Sequence, residues 1–523
     1  MTPKMRAVRV VAAVLVAGAC QDLVVVNENQ PDRNRALAQP DAVELLVAST
    51  YPALYNRLYR DADTYAPLSA AADEATNSDN AGGSRDLSTL PRRPYDNNPV
   101  NDDQYDLVEE YWAELYEVFS NATDALRVMD DGLVIETDGE DNTHRLRVIA
   151  KLMQGVSLGY HGLLFDQGYV FDEDTPDEVV EDPVGHGLDL VSYDAVLDRA
   201  VAFLDEAIQL AESGPDFTVP AGWFYALADL TRADVIEMAH AYATRFLVIG
   251  PRTTQERASV DWQAVLSHAT KVTKDVRVTL GASSTGRNNN FISKAHTTSS
   301  NSRWYASNLL VGPADTSGAF QAWLAQDPES RTRFQISTPD RRITGAAGPT
   351  ANGRYFRYVT TDLTNPVYGS YRQSYYQWAR YHSAPINNNA TSGSFAVLPL
   401  TEVRLYAAEA YLRTDAAAQA VTIVNQTRVA NGSLPPVTAD GVPAAGCVPR
   451  TRTGACGNLL DALVYERMVE LAFVDAVRTW ADKRGFGALA TGTVLHIPIP
   501  YAQQLILGMP YYTFGGSGPG SAQ

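Results

Sequence analysis

The stretch YERMVELAFVDAVRTWADKRGFG, Tyr465 to Gly487, decides the fold. Leu460, Val464, Met468 and Leu471 recur at helical spacing and form one apolar stripe. Arg467 with Glu470, and Arg478 with Asp482, stand three and four residues apart, where side chains on one helix face meet. Read with the preceding LLDALV, the stretch predicts one long amphipathic helix ending near Gly485. A stripe of this kind packs on other helices. Its residues, with Trp112 and Trp480, are therefore expected to hold a scaffold together rather than touch a ligand.

The same texture extends upstream. PLTEVRLYAAEAYL and AAAQAVTIVNQTRVANG predict a paired helical hairpin closed at Asn431-Gly432. LVEEYWAELYEVFSNATDALRVM sets Leu107, Tyr111, Leu115, Val118 and Ala122 on one stripe, with acids opposite. HRLRVIAKLMQGVSLGYHGLLF and SYDAVLDRAVAFLDEAIQLAESG predict two more helices, the second capped at Ser192 and ended by Gly214. GWFYALADLTRADVIEMAHAYATRFL and DWQAVLSHATKVTKDV add two others. The fold class expected is mainly α, a stack of TPR-like helical hairpins or α-α superhelix. From Gly281 to Val397 helical period fades, apart from about Ala319–Ala325, and Gly, Ser, Thr, Asn and Arg become frequent. That predicts an irregular lobe of long loops and short strands, inserted before the C-terminal helices.

At the other end, Lys4, Arg6 and Arg9 precede an apolar run from Val10 to Ala19. The run is too short for a bilayer span and has the length of a signal peptide. It closes on Ala17-Gly18-Ala19-Cys20, a pattern similar to a bacterial lipobox. The expectation is a lipoprotein signal over 1–19 and lipid on Cys20; an ordinary secretory signal with a chance cysteine is the alternative. No other segment is long and apolar enough to span a membrane. A net charge of −19 repels phosphate backbones and argues against nucleic acid. Cys447 and Cys456, in a Gly/Pro-rich stretch, predict a disulfide in an oxidising compartment, with two free thiols as the alternative.

Four stretches together resemble the SusD/RagB family of outer-membrane nutrient-binding lipoproteins. CQDLVVVNENQPD, Cys20 through Asp32, is similar to that family's mature start. Tyr111-Trp112, Leu115-Tyr116 and Asn121-Ala122 resemble its early helix. Glu402, Ala408-Glu409-Ala410, Asn425, Arg428 and Gly432 resemble its late hairpin. Glu466, Arg467, Glu470, Leu471 and Phe473 stand in register with its most specific signature, followed by Arg478, Asp482 and Arg484. The resemblance implies one SusD-like domain over 20–523. Its parts are an N-terminal helical scaffold to 280, a ligand lobe over 281–397 and a C-terminal segment over 398–523. It further implies an anchored position at the outer membrane facing the cell exterior, and a SusC-like TonB-dependent barrel as partner.

No motif for catalysis is present: H-E-x-x-H, G-x-x-x-x-G-K-[ST] and G-x-S-x-G are all missing. No enzyme activity, cofactor or metal is expected. Asp172-Glu173-Asp174 and Asp138-Gly139-Glu140-Asp141 read as solvated acidic loops, with calcium as the alternative. The lobe instead holds material for sugar binding, flat aromatic faces with planar polar groups beside them. It has sixteen aromatic residues in 117 positions, denser than the chain's 9%. Trp304, Tyr305, Trp323, Tyr355, Tyr358, Tyr371, Tyr375, Tyr376, Trp378 and Tyr381 interleave with Arg303, Arg354, Arg357, Arg372 and Arg380. Trp378 and Trp304 are the first expected platform, because an exposed Trp is costly without purpose. Asn77, Tyr95 and Asn97 are expected to reach the same cleft. The alternative is that these aromatics form the lobe's own core or its contact with a barrel. The function expected is nutrient capture without chemistry, of an oligosaccharide first. A peptide, which the lobe arginines would suit, a secreted hydrolase and a purely structural lid are the alternatives.

Overall fold

The structure is a computed structural model that describes residues 33–60, 62–76, 83–88, 90–100, 102–137, 139–280, 305–360, 373–380 and 393–516. The expected signal over 1–19, Cys20, Asn77, Asp138, Arg303, Trp304, Tyr371, Arg372 and Tyr381 lie outside these residues. Among the described residues the elements are helices joined by short two-stranded ribbons, so the chain is mainly α. No helix among them is long and apolar enough to cross a membrane.

The N-terminal scaffold is built from α1 (Pro40–Tyr55), α2 (Ala62–Ala71), α3 (Asp102–Asp130), α4 (Thr143–Leu164), α5 (Tyr193–Ser213), α6 (Arg232–Ile249) and α7 (Trp262–Ala269). Helix α4 is buried on every side from Val148 to Leu164, as an apolar run with little polar face requires. It packs against α3 and α5, and α6 packs against α5. The close approach of α4 to α6 needs glycine: a Cβ on Gly159 would lie 2.1 Å from Phe246 Cε2.

The stretch read as one helix from Gly222 is interrupted. A short turn at Ala221–Phe224 ends on Tyr225, held in the left-handed region at φ 52°. Helix α6 begins only at Arg232, where Thr231 and Asp234 form a reciprocal capping box that outweighs helical continuity. Asp261 caps α7, accepting from the N–H groups of Gln263 and Ala264. The helix stops at Ala269, and the chain continues into β1 (Val276–Leu280).

The lobe contains the hairpin-like pair β2 (Phe356–Tyr358) and β3 (Tyr376–Trp378), with Phe356 opposite Trp378 and Tyr358 opposite Tyr376. It ends in β4 (Gly393–Leu398), which pairs antiparallel with β1, Phe395 facing Val278. This ribbon brings the two chain ends of the lobe together at its base. The C-terminal helices follow as α8 (Leu400–Arg413), α9 (Ala417–Ala430), α10 (Leu459–Glu470) and α11 (Ala476–Gly485). A disulfide joins Cys447 to Cys456, with the Cα atoms 5.1 Å apart.

The single long helix expected across Tyr465–Gly485 is therefore two. Phe473 turns the chain with φ 59°, and its N–H donates to Glu74 Oε1 at 2.9 Å. Asp475 then caps α11, accepting from the Arg478 N–H. The other oxygen of that carboxylate accepts from Arg245 and Tyr59, each at 2.9 Å, and from Tyr160 at 3.0 Å. These buried donors and acceptors satisfy one another only if the helix breaks here.

The helical ion pairs expected within the signature are also replaced by pairs between elements. Arg467 binds Glu409 at 2.5 Å rather than Glu470. Asp482 accepts from Arg257 at 2.9 Å rather than from Arg478. Glu470 and Glu466 both accept from Arg342, which enters from the lobe and also binds Asp340 at 2.7 Å. All four groups are fully buried, so each charge depends on its partners for the hydration it has lost.

Candidate ligand-binding surface

An irregular segment of the lobe, 331–335, positions polar side chains at every second residue. The Arg331 guanidinium lies over the Trp323 ring, 4.5 Å from its centroid, and Arg333 lies over Tyr375 at 4.6 Å. Gln335 Nε2 donates to the Tyr358 hydroxyl at 3.1 Å. Tyr358 and Tyr375 are neighbours, their ring centroids 5.3 Å apart, and both are half-buried. The ribbon holds them firmly. The Tyr358 N–H donates to Asn352 Oδ1 at 2.9 Å, and the Tyr375 carbonyl accepts from the Val359 N–H at 2.7 Å. Beside this surface, Arg331 also lines a cleft of about 1190 Å³, with Gln321, Leu324, Pro91, Arg452 and Leu489 among its walls.

The remaining expected site residues have other places. Trp378 is 1% exposed and packs against Phe356, Tyr355 and Phe473 at centroid distances of 5.0, 5.7 and 5.5 Å. It offers no open face for a sugar and serves as a core contact between lobe and C-terminal helices. Tyr376 is buried on the same strand face, its hydroxyl donating to the Pro349 carbonyl. Tyr305 is buried opposite Thr76 in a short ribbon, and Tyr95 is buried opposite Phe514. Asn97 is buried too, donating to the Ile499 carbonyl at 2.6 Å. Trp323 is buried between Phe320, Phe334 and the guanidinium above it. Arg380 stacks on Tyr355 and donates to the Glu470 carbonyl at 2.6 Å, tying the lobe to α10. For the aromatic residues among them the reason is common: a large ring removed from water contributes most when its whole surface is covered.

Of the aromatics expected as a platform, Tyr358 and Tyr375 are the two described ones that keep partly open rings. Arg331, Arg333 and Gln335 were missed. Their signal was present as the alternation R-x-R-x-Q, but nothing in that spacing says which aromatic rings it meets. The acidic stretch at Asp172 is not free: Glu173 binds Lys151 at 2.6 Å and Asp172 binds Arg199 at 3.3 Å.

No family model matches the sequence, and no curated protein matches it. Solved structures do match. A SusD-like carbohydrate binding protein from Bacteroides fragilis NCTC 9343 superposes with a TM-score of 0.51 at 14% identity, covering 87% of this chain and 87% of that one. A SusD superfamily protein from Bacteroides thetaiotaomicron VPI-5482 gives a TM-score of 0.51 at 12% identity, over 89% of this chain and 96% of the other. A second protein of that superfamily from the same organism gives 0.51 at 12% identity, over 85% and 89%. From the scaffold helices through the lobe to the broken signature helix, this chain has the fold of the SusD superfamily.

Proposed function

We propose that this protein binds an oligosaccharide without transforming it and passes it to a TonB-dependent outer-membrane barrel, while lipid on Cys20 holds it at the membrane. The observation that carries this reading is the Tyr358–Tyr375 pair with Gln335 and Arg333 beside it. Two partly open rings can pack against the C–H faces of sugars, and neighbouring amide and guanidinium groups can bind hydroxyls, the mix of apolar area and a few placed polar groups that small-ligand sites use. A structural neighbour described as a carbohydrate binding protein agrees with that chemistry. The lipobox-like run ending at Cys20 supports the anchor, and the resemblance of four stretches of the chain to the SusD/RagB family supports the barrel. A tether would keep the protein near its transporter at high effective concentration.

The test is a panel of neutral and charged oligosaccharides and short peptides titrated calorimetrically into the purified protein. Binding of a glycan, weakened roughly tenfold or more by Tyr358→Ala with Tyr375→Ala, supports the reading. Binding of peptides alone would refute it, as would turnover of any glycan on the panel.

A further inference from the structure

The cleft beside the Tyr358–Tyr375 surface differs in chemistry from the surface itself. It lies where three parts of the chain meet: Leu90-Pro91, lobe residues 309–331, and the loop 487–491 that follows α11. Its walls are aliphatic, formed by Leu90, Pro91, Leu309, Leu324, Pro328 and Leu489 with three alanines among them. None of the described residues lining it is aromatic. The four leucines are half-buried, so part of each still meets water. Aliphatic surface left wet at the junction of three chain segments has a cost, and a bound apolar group removes it.

Three of the five polar side chains along the cleft are engaged by the protein. Gln321 Nε2 donates to the Thr451 carbonyl at 3.0 Å. Arg331 donates to the Leu324 and Gln326 carbonyls at 2.9 and 3.2 Å and covers the Trp323 ring. Asp327 is engaged as well. Bare sugar fits such a lining poorly, because hydroxyls brought into it lose water and find few groups to replace it. Sugar rings also stack on aromatic faces, which the described lining lacks. A short hydrocarbon fits better. It asks for no hydrogen bonds and gains by covering the leucines. Arg452 and Thr491 are exposed at the cleft, where an ester carbonyl can accept from them.

The cleft is also continuous with the candidate sugar surface. Arg331 in its wall and Arg333 over Tyr375 stand two residues apart, a Cα separation of at most about 7 Å. A chain of a few sugar units lying on Tyr358 and Tyr375 therefore reaches the cleft with a substituent. We infer that the ligand is an oligosaccharide carrying short acyl esters, its rings on Tyr358 and Tyr375 and an acyl group in the cleft. The inference rests on the carbohydrate-binding reading and deepens it.

The test titrates each oligosaccharide of the panel, xylohexaose and mannohexaose among them, unmodified and as lightly acetylated, propionylated and butyrylated preparations. For at least one, the butyrylated form should bind roughly tenfold or more tighter than the unmodified form. Affinity should rise along the series by up to about fourfold per added methylene. Ala488→Trp, which fills the cleft from an exposed position, should abolish the preference with circular dichroism unchanged. Leu309→Asn with Leu489→Asn should do the same by making the walls polar. The variant with Tyr358→Ala and Tyr375→Ala should instead weaken every form together. Unmodified glycans that bind as tightly as all their esters would overturn the acyl preference and leave carbohydrate binding intact. Failure of every glycan in every form would overturn both readings. An undiminished preference in the folded cleft variants would overturn the assignment to this cleft.

Discussion

His161 makes the protein's stability depend on pH by an amount that can be worked out. It lies on α4, 1% exposed, with its ring 4.6 Å from Trp112, 4.6 Å from Tyr116 and 4.7 Å from Phe165. Neither ring nitrogen has a hydrogen-bond partner. Burial, and then the charge of Arg252, push its pKa from 6.5 down to about 3. The folded protein therefore keeps His161 neutral at pH values where the unfolded chain protonates it. This contribution is fully present above the unfolded value and is lost as pH falls toward the folded one. At about pH 5 the difference in proton uptake costs on the order of 2 kcal/mol, and below about pH 3 it levels off near 5 kcal/mol. The perturbation is His161→Leu, which keeps an apolar side chain among the aromatics and removes the titration. Urea unfolding midpoints for both proteins at about pH 8 and pH 5 give the comparison. The wild type should lose about 2 kcal/mol more than the variant on acidification. Both retain the acid sensitivity of His496, pushed down to about 3, and His240, pushed down to about 4, so the variant keeps a residual slope. Equal losses in the two proteins would refute the account, since they would mean that His161 is hydrated or bonded in the fold.

Other parts of the structure make claims of comparable size. Arg342→Met strands Asp340, Glu466 and Glu470 in the core without their shared cation; it should cost about 3–5 kcal/mol in urea unfolding and expose the lobe to limited proteolysis. Gly159→Ala forces a methyl group against the Phe246 ring, where a Cβ has only 2.1 Å. It should destabilise by about 1–3 kcal/mol, seen as a lower thermal midpoint, and Phe246→Ala should restore part of the loss. Reducing the Cys447–Cys456 bond, which spans a separation of 9 residues, should lower stability by at most about 2–3 kcal/mol. The Cys447→Ser variant should be insensitive to reductant.

Much of the scaffold was legible because helical period, caps and small residues act within a few positions of one another. Helix α5 runs from Tyr193 to Ser213, between the Ser192 and Gly214 read as its ends, and α8 with α9 forms the hairpin expected before Asn431-Gly432. The break in the signature helix was not legible. Its turn at Phe473 is held by Glu74, 399 residues earlier, and local spacing carries no trace of such a partner. The capping box at Thr231 was written in the chain, yet the longer periodic run around it masked it.

The site divided in the same way. Composition alone determined that aromatic and arginine residues concentrate in one irregular region, and residue order determined that the region is bracketed by helices. Which rings remain open was decided by tertiary structure. Phe356, Tyr358, Tyr376 and Trp378 share one face of the β2–β3 ribbon, but Phe473 covers the Trp378 end and leaves the Tyr358 end half-open. Ring type is a property of the residue. Exposure is a property of what the rest of the chain places against it, and the free energy of covering apolar surface favours closing every face that a neighbour can reach.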